Sequence, residues 1–242
     1  MRAQWSASCA KTIVRQSPDH AMMPPVTTGD PKDLVRQGYN ALSEHYDRAF
    51  GGETKYQAWL SELDQQIPSA ATVLDLGCGS GIPVARMLAT TGRRVVGVDI
   101  SDVQVDRARR LVPTAEFIRA DAAAVDFEPA SFDAVICLYA LIHMPLDEQL
   151  PLLTKVARWL RPRGLFVLTT GHRAGTGTDD NWLDTGETMW WSHADATTYR
   201  TWLAEAGFEV RRAEFIPEGT GGHMLFWAVK PDPTQPLSST DR

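Results

Sequence analysis

The sequence predicts an α/β fold with a doubly wound, mostly parallel sheet of seven strands and an antiparallel hairpin at its C-terminal edge. Three observations predict this fold. Short apolar segments alternate with amphipathic ones between residues 71 and 170, as in parallel sheets that helices cover on both faces. A glycine-rich turn follows the first apolar segment. Residues 208–216 and 224–229 are apolar and are joined by a short glycine-rich loop, which indicates an antiparallel pair.

Composition limits the class of protein before any motif is considered. The chain has 242 residues, of which 43% are hydrophobic, and a formal net charge of −6. A chain of this length and hydrophobic content can bury one large core. Its negative net charge argues against a nucleic-acid partner. No apolar run approaches the ~20 residues of a membrane span. Three cysteines without a CxxC motif indicate neither a disulfide framework nor a zinc cluster, and favour a cytoplasmic protein.

One domain is expected between two loose ends. A flexible N-terminal leader is expected at 1–30 and a loose C-terminal tail at 231–242, because both are polar and lack periodicity. The domain at 31–230 starts with a helical cap, 31–67, which a break near Gly51 and Gly52 divides. Residues 171–194 have no clear period and are about twice the usual loop length, so we expect a lid-like insert there.

The remaining elements follow from apolar pattern and boundary residues. After the helical cap, which Pro68 ends, valine-rich and other apolar segments predict strands, at 71–76, 94–99, 116–119, 132–138, 165–170, 208–216 and 224–229. Helical spacing predicts the helices between them, at 82–90, 102–111, 147–160 and 196–206. Ser101 is the expected N-cap of the second of these helices, and Gly207 the expected C-cap residue of the last.

The glycine-rich turn predicts a binding site for a nucleoside. The segment VLDLGCGSG at 73–81 leaves a strand and opens a helix, and Asp99 ends the next strand about 20 residues later. Glycines let the main chain approach a ligand, and an acid at that distance can accept both ribose hydroxyls. Alternatively, the glycines serve only to pack helix against strand.

Two residues argue against a dinucleotide ligand. The dinucleotide pattern G-x-G-x-x-G needs its third glycine where this chain has Ile82. Asp75, just before the turn, would repel a pyrophosphate but could receive a cationic group. A ligand with an amino-acid end and a ribose therefore fits better than NAD.

These residues resemble the first motif of the class I S-adenosylmethionine (SAM)-dependent methyltransferases of small-molecule type. FIRADAAAVDF at 117–127, FDAVICLYALIHMP at 132–145 and the C-terminal hairpin also resemble that family, over roughly residues 34–230. The resemblance implies a Rossmann-like sheet, SAM as the cofactor, and transfer of a methyl group to an O, N or C atom of a small molecule.

The resemblance also implies roles for single residues. The main chain at the glycines would hold the methionine end, Asp99 the ribose, Ile100 and the 121–122 pair the adenine, and the Leu138 carbonyl the amino group. The tyrosines at 39 and 46 would cap the carboxylate, line the substrate pocket or simply pack. The implied cofactor-binding set is Tyr39, Tyr46, Asp75, Gly77, Cys78, Gly79, Gly81, Asp99, Ile100, Asp121, Ala122 and Leu138.

The chemistry expected around the cofactor needs alignment and, for an acceptor that carries a proton, a base. The fourth strand leads into Cys137-Leu138-Tyr139-Ala140. That segment lacks the Asn/Asp-Pro-Pro-aromatic signature of nucleobase methyltransferases and the carboxylate of metal-dependent catechol enzymes. We therefore expect no metal and no nucleobase substrate.

His143 is the candidate base, because it follows the fourth strand at the ligand-binding edge of the sheet. The alternative is a histidine that orders the following turn. The aromatic-rich segment 171–194 would close over the substrate or cover the sheet edge as core. The candidate substrate residues are Tyr139, His172, Trp190 and His193.

Three other functions remain open at this stage. An NAD-linked oxidoreductase would use the same turn and acid. A SAM-binding protein without methyl transfer would act through partners. A third alternative uses the bound sulfonium only to shape the pocket for a non-methylating reaction such as a cyclisation. The oligomeric state does not follow from the sequence.

Overall fold

The computed structural model describes residues 29–52 and 54–234. Most of the expected leader and tail, at 1–28 and 235–242, lies outside the described residues. Six α-helices occur in the described part of the chain: α1 Pro31–Phe50, α2 Thr54–Gln66, α3 Val84–Thr90, α4 Asp102–Leu111, α5 Leu146–Trp159 and α6 Ala196–Glu205. Its nine strands are β1 Thr72–Leu76, β2 Arg94–Asp99, β3 Glu116–Arg119, β4 Phe132–Cys137, β5 Leu160–Gly171, β6 Gly175–Trp182, β7 Glu187–His193, β8 Glu209–Glu218 and β9 Gly221–Val229.

Seven strands form the central sheet, in the order β3-β2-β1-β4-β5-β9-β8. Strands β1 to β5 pair in parallel, whereas β9 is antiparallel to both β5 and β8. This confirms the predicted doubly wound sheet and its antiparallel edge. Because β1 and β4 are central neighbours whose chains leave in opposite directions along the sheet, their carboxyl ends bound the crevice in which such folds bind ligands.

Helices cover both faces of the sheet, and the buried side chains fall into two clusters. One contains Trp159 and Phe226 and lies beneath α5 and α6; the other contains Leu63 and Leu88 and lies beneath α2 and α3. The strands β1 and β4 are buried along nearly their whole length, as expected when helices cover both faces.

Helix α1 lies across the carboxyl edge of the sheet and is held there by polar contacts. Asp30 caps its N-terminus by accepting from the Lys32 amide at 2.9 Å. Near its C-terminus, Asp47 accepts from the Ser80 hydroxyl at 2.8 Å and pairs with Arg107 at 2.7 Å. The helix is thereby fixed to the glycine-rich turn and to α4.

The structure differs from the sequence expectation mainly at 171–194. This segment forms a second, two-stranded sheet of β6 and β7. The polar run Asp179–Asn181 hides the strand pattern, since Asp and Asn are depleted in strands. Tertiary contact stabilises the hairpin, because the fully buried Met189 packs against Gly38 of α1.

Smaller corrections concern element boundaries. The strand expected at 165–170 is longer, because β5 extends back to Leu160. The helix expected from residue 82 begins at Val84, because residues 79–83 form turns and a bend. The expected loop 217–223 shortens to a tight turn, since β8 and β9 continue to Glu218 and Gly221.

Candidate functional site

The glycine-rich turn connects β1 to α3 and is tied to the neighbouring strand. The amides of Gly77 and Cys78 both donate to the Val98 carbonyl, at 2.8 and 3.1 Å. Gly77 has a φ of +74°, and a Cβ on it would lie 2.1 Å from the Cβ of Ala140. Only glycine fits this position, because a side chain would be both strained and in collision.

Asp99 lies at the end of β2, opposite the turn. Its Oδ2 accepts from the Gly79 amide and its Oδ1 from the Ser101 amide, each at 2.8 Å. Burial raises the pKa of Asp99 to about 6, although these two hydrogen bonds act in the opposite direction. The Asp99 carboxylate is therefore held in a fixed orientation beside the glycine-rich turn, as the sequence spacing of about 20 residues predicts.

Asp75 is a buried carboxyl group with an unsatisfied oxygen. It is 2% exposed, and its Oδ2 has no hydrogen-bond partner among the described residues. Burial and the nearby charge of Asp99 raise its pKa to about 8. A buried oxygen without a partner costs roughly 1–3 kcal/mol, so this position is suited to a ligand that brings a positive charge or a donor.

These groups border a cavity with an empty volume of about 730 Å³. We call it the cofactor cavity. Nine of the predicted cofactor-binding residues line it: Tyr39, Tyr46, Gly77, Gly79, Asp99, Ile100, Asp121, Ala122 and Leu138. Asp75, Cys78 and Gly81 are not among the lining residues. A Cβ on Gly81 would meet Phe117 at 3.1 Å, so this glycine allows the turn to pack against β3.

Lys32 is a lining residue that the sequence analysis missed. Its ammonium group binds Asp121 at 2.6 Å and both carboxylate oxygens of Glu148 at 2.8 Å. It therefore joins the start of α1 to the loop after β3 and to α5. A lone lysine in a polar stretch gives no signal from which this contact could be predicted.

A second cavity, with an empty volume of about 1720 Å³, adjoins the first. We call it the acceptor cavity. Tyr39, Tyr46, Tyr139 and His143 line both cavities and form what we call the junction. Tyr139 has a φ of +58°, a left-handed conformation that few non-glycine residues adopt, and its amide is held by the Thr169 hydroxyl at 2.5 Å.

His143 is buried at the junction, with both ring nitrogens engaged. Nδ1 lies 2.7 Å from the Trp190 carbonyl and Nε2 lies 3.0 Å from the Tyr39 hydroxyl. Since a carbonyl only accepts, Nδ1 carries the proton and Nε2 accepts from Tyr39. Burial lowers the pKa of His143 to about 4, against the opposing effect of the Trp190 carbonyl.

Of the four predicted substrate residues, two line the acceptor cavity and two line neither cavity. Tyr139 and His193 line the acceptor cavity. The side chains of Trp190 and His172 line neither cavity; Trp190 contributes its carbonyl to His143, and His172 donates to the Gly222 carbonyl at 2.7 Å.

Other residues of the acceptor cavity were not among the predicted substrate residues. They come from α1, α2, the β6–β7 hairpin and the β8–β9 hairpin, and include Phe50, Lys55, Tyr56, Trp182, Trp191, Glu218 and His223. An aromatic-rich 171–194 segment was the one signal that pointed to part of this set.

Comparison with known proteins agrees with this geometry. The family model for a methyltransferase domain matches residues 73–164. The chain is 29% identical to the 27-O-demethylrifamycin SV methyltransferase of Amycolatopsis mediterranei over 77% of each chain. It is 31% identical to a sterol 24-C-methyltransferase of Debaryomyces hansenii, over 55% of this chain and 38% of that protein. Its fold matches magnesium protoporphyrin IX methyltransferase from Synechocystis PCC 6803, which was solved with bound S-adenosylhomocysteine (SAH). The TM-score is 0.66 and the identity 22%, and the match covers 83% of this chain and 100% of that one.

Residues 73–164 form a methyltransferase domain, and the matched relatives together with the fold support a class I SAM-dependent methyltransferase. The residues of this methyltransferase fit SAM on structural grounds. The unpartnered Asp75 oxygen complements an ammonium group, and the turn at Gly77 leaves room where a Cβ would collide. Asp99 offers carboxylate oxygens to a ribose beside the same turn.

The described residues contain neither a cluster of metal ligands nor a membrane-spanning helix. Within residues 29–52 and 54–234, no group of three or more His, Cys, Asp or Glu side chains is arranged to hold a metal ion. No helix in that part of the chain is long and apolar enough to cross a membrane.

Proposed function

We propose that this methyltransferase transfers the methyl group of SAM to a small molecule bound in the acceptor cavity. The observation that supports the proposal most directly is the junction. Tyr39, Tyr46, Tyr139 and His143 line both cavities, so a ligand in one cavity can meet a ligand in the other. The rifamycin and sterol relatives, which by name methylate small molecules, support the same substrate class.

The residues of the cofactor cavity would each hold one part of SAM. The Gly77 and Gly79 main chain would hold the methionine end above Asp75, and Asp99 would accept the ribose hydroxyls. Ile100 would pack on the adenine, whose edge the Asp121–Ala122 pair would contact. When bound, SAM supplies an electrophilic methyl group on a positively charged sulfur.

The protein's contribution is alignment and exclusion of water. Aromatic rings of α1 and the β6–β7 hairpin cover the junction, with the Tyr39 and Trp182 ring centroids 5.4 Å apart. Positioning of this kind accounts for a large part of the barrier reduction in transfer reactions. His143 holds the Tyr39 hydroxyl by its Nε2, which fixes the rings on which the acceptor would rest.

The setting proposed for this activity is the cytoplasm, with a small molecule rather than a nucleic acid as acceptor. Cys78 and Cys137 are free and buried, as expected in a reducing compartment. The net charge of −6 gives no general attraction for phosphate backbones.

Calorimetry and methyl transfer test the proposal together. Wild-type protein should bind SAM and SAH, and Asp99→Asn should weaken both by about 1–3 kcal/mol, since a charged acceptor of the ribose hydroxyls is lost. Asp102→Asn, at a partly exposed carboxylate three residues on, is the matched control and should bind normally. Labelled methyl from SAM should appear in a small-molecule fraction. Absence of binding by the wild type, or tighter binding of NADH, would refute the proposal.

A further inference from the structure

Four polar side chains meet on the wall of the acceptor cavity. Glu218, at the end of β8, binds Nδ1 of His223 through Oε2 at 2.6 Å, and its Oε1 accepts from the Tyr139 hydroxyl at 2.6 Å. The same Oε1 pairs with the ammonium group of Lys55. We call Lys55, Tyr139, Glu218 and His223 the Glu218 cluster. Its members come from α2, the segment after β4, β8 and β9, so only the tertiary fold assembles it.

Glu218 fixes the orientation and protonation of the His223 ring. Burial opposes ionisation of Glu218, but the hydrogen bonds from His223, Lys55 and Tyr139 outweigh it and lower its pKa to about 2. An ionised carboxylate only accepts, so Nδ1 of His223 carries a proton, and in the neutral ring Nε2 carries a lone pair. No described residue makes a hydrogen bond to that Nε2.

His223 is accessible to a ligand from the cavity. It lines the acceptor cavity, and its side chain is 25% exposed. Its ring makes an edge contact with Tyr139 at 5.1 Å between centroids, and Tyr139 belongs to the junction. The free nitrogen is therefore on the same wall as the passage to the cofactor cavity.

His143 is less suited to taking a proton, although the sequence makes it the first candidate. Its Nε2 already accepts from Tyr39, and its Nδ1–H is given to Trp190. Its low pKa of about 4 means that a buried imidazolium at this position is unfavourable. Transfer of a proton from a phenol, with an ordinary pKa of ~10, to His143 would be unfavourable by about 6 pKa units.

We propose that His223, oriented by Glu218, accepts the proton of the methyl acceptor, and that this acceptor is a planar, largely apolar molecule with an ionisable hydroxyl group. The inference rests on the proposed function and names the substrate class of the same site. The planar, apolar character follows from the rings of Tyr46, Phe50, Tyr56, Trp182 and Trp191 on the cavity wall.

Each bond change in the step is accounted for by these groups. As the acceptor oxygen forms its bond to the methyl carbon, the carbon–sulfur bond breaks and its electron pair stays on sulfur. The hydroxyl proton passes to Nε2 of His223 and leaves later to water. The Glu218 carboxylate stabilises the imidazolium, and Lys55, whose ammonium lies 5.0 Å from the Tyr139 ring centroid, places a positive charge on the same cavity wall.

The test uses phenols whose neutral and anionic forms have different absorption spectra. 7-Hydroxycoumarin and 1-naphthol are added to the SAH-saturated protein at a pH at which the free probes are mostly neutral. Wild-type protein should raise the anionic fraction. His223→Asn, which keeps an amide donor toward Glu218 but has no acceptor at Nε2, should abolish this rise. With labelled SAM, methyl transfer to the same probes should fall about 10²-fold or more in kcat.

Matched variants separate the proton step from folding and from cofactor binding. Glu218→Gln should reduce the anionic fraction, and Glu214→Gln on the same strand should not. His45→Asn, an exposed histidine on α1, should behave as wild type. Each variant is first titrated with SAH and melted, so that a folding defect is visible.

Two results would overturn the inference while leaving the proposed function intact. One is equal ionisation of the probes by the wild type and His223→Asn. The other is no ionisation by a wild-type complex that binds SAH normally. Failure of the wild type to bind SAH would instead refute the proposed function, and the inference with it.

Discussion

The two cavities are built in different ways. The cofactor cavity is shaped largely by main chain: the turn after β1 presents amides beside Asp99, and Gly77 allows close approach. The acceptor cavity is shaped by side chains that five separate parts of the chain contribute. The first depends on local conformation, and the second on the assembled fold. A single substitution at the turn should therefore have a large effect on ligand binding in the cofactor cavity, whereas single substitutions in the acceptor cavity should each have a smaller effect.

Gly77→Ala should give the largest effect, because it attacks the main-chain geometry directly. A left-handed alanine costs about 1–2 kcal/mol, and the 2.1 Å contact with Ala140 adds roughly 1–3 kcal/mol. SAH binding should be lost in calorimetry, and the melting temperature should fall.

The control for Gly77→Ala is Gly92→Ala, since Gly92 has a φ of +86° but nothing within 4 Å of an added Cβ. This variant carries the strain without the collision, and should keep full SAH affinity. Equal loss of affinity in the two variants would refute the view that close approach at the turn defines the cavity.

An intermediate effect should appear in the pH dependence of cofactor binding. With its pKa raised to about 8 by burial and by Asp99, Asp75 is mostly protonated at pH 7 without ligand and must ionise to pair with an ammonium group. SAM affinity should rise between pH 6 and about 7.5, below the range in which an α-amino group loses its proton. Calorimetry in buffers of different ionisation heat should detect the released proton, and Asp75→Asn should release none.

The same carboxyl group links pH to the stability of the ligand-free protein. Between an ordinary pKa of about 4 and the folded value of about 8, the folded state holds a proton that the unfolded state has lost. The free energy of unfolding should therefore fall as pH rises across this range. Urea titrations of wild type and Asp75→Asn measure it, and parallel curves for the two proteins would contradict the assignment.

The smallest effect is expected at Lys32, where a side chain from α1 reaches the cofactor cavity. Lys32→Met should destabilise the protein by about 1 kcal/mol and speed SAH dissociation slightly, because the link to Asp121 and Glu148 is lost. Arg36→Met removes ion pairs of the same helix with Asp33 and Asp102 and should cost similar stability without changing dissociation. Stopped-flow measurement of SAH release distinguishes the two variants.

The difference between the cavities also explains what could be predicted from the sequence. The mostly parallel sheet with its antiparallel edge follows from the strand–helix alternation, and Gly77, Gly79 and Asp99 follow from a spacing that local geometry imposes. Such features depend on consecutive residues, so a single sequence contains their signal.

The Glu218 cluster could not be predicted in the same way. Glu218 and His223 flank a tight turn, and they become diagonal neighbours only because Glu218 pairs with Gly221 and His223 with Ile216 across the hairpin. A correct register for β8 and β9 would have brought these two together, but Lys55 reaches them only through the docking of α2. Likewise, the β6–β7 hairpin is stabilised by Met189 against α1 rather than by its own strand propensity.

The position of α1 has a consequence for turnover. Lys32 and Val35 of α1 line the cofactor cavity, and Tyr39 and Tyr46, about one and three turns beyond Val35, belong to the junction. One helix thus borders the sites proposed for both products, so its displacement would help to release the two together. We expect displacement of α1, rather than methyl transfer itself, to limit the rate of turnover.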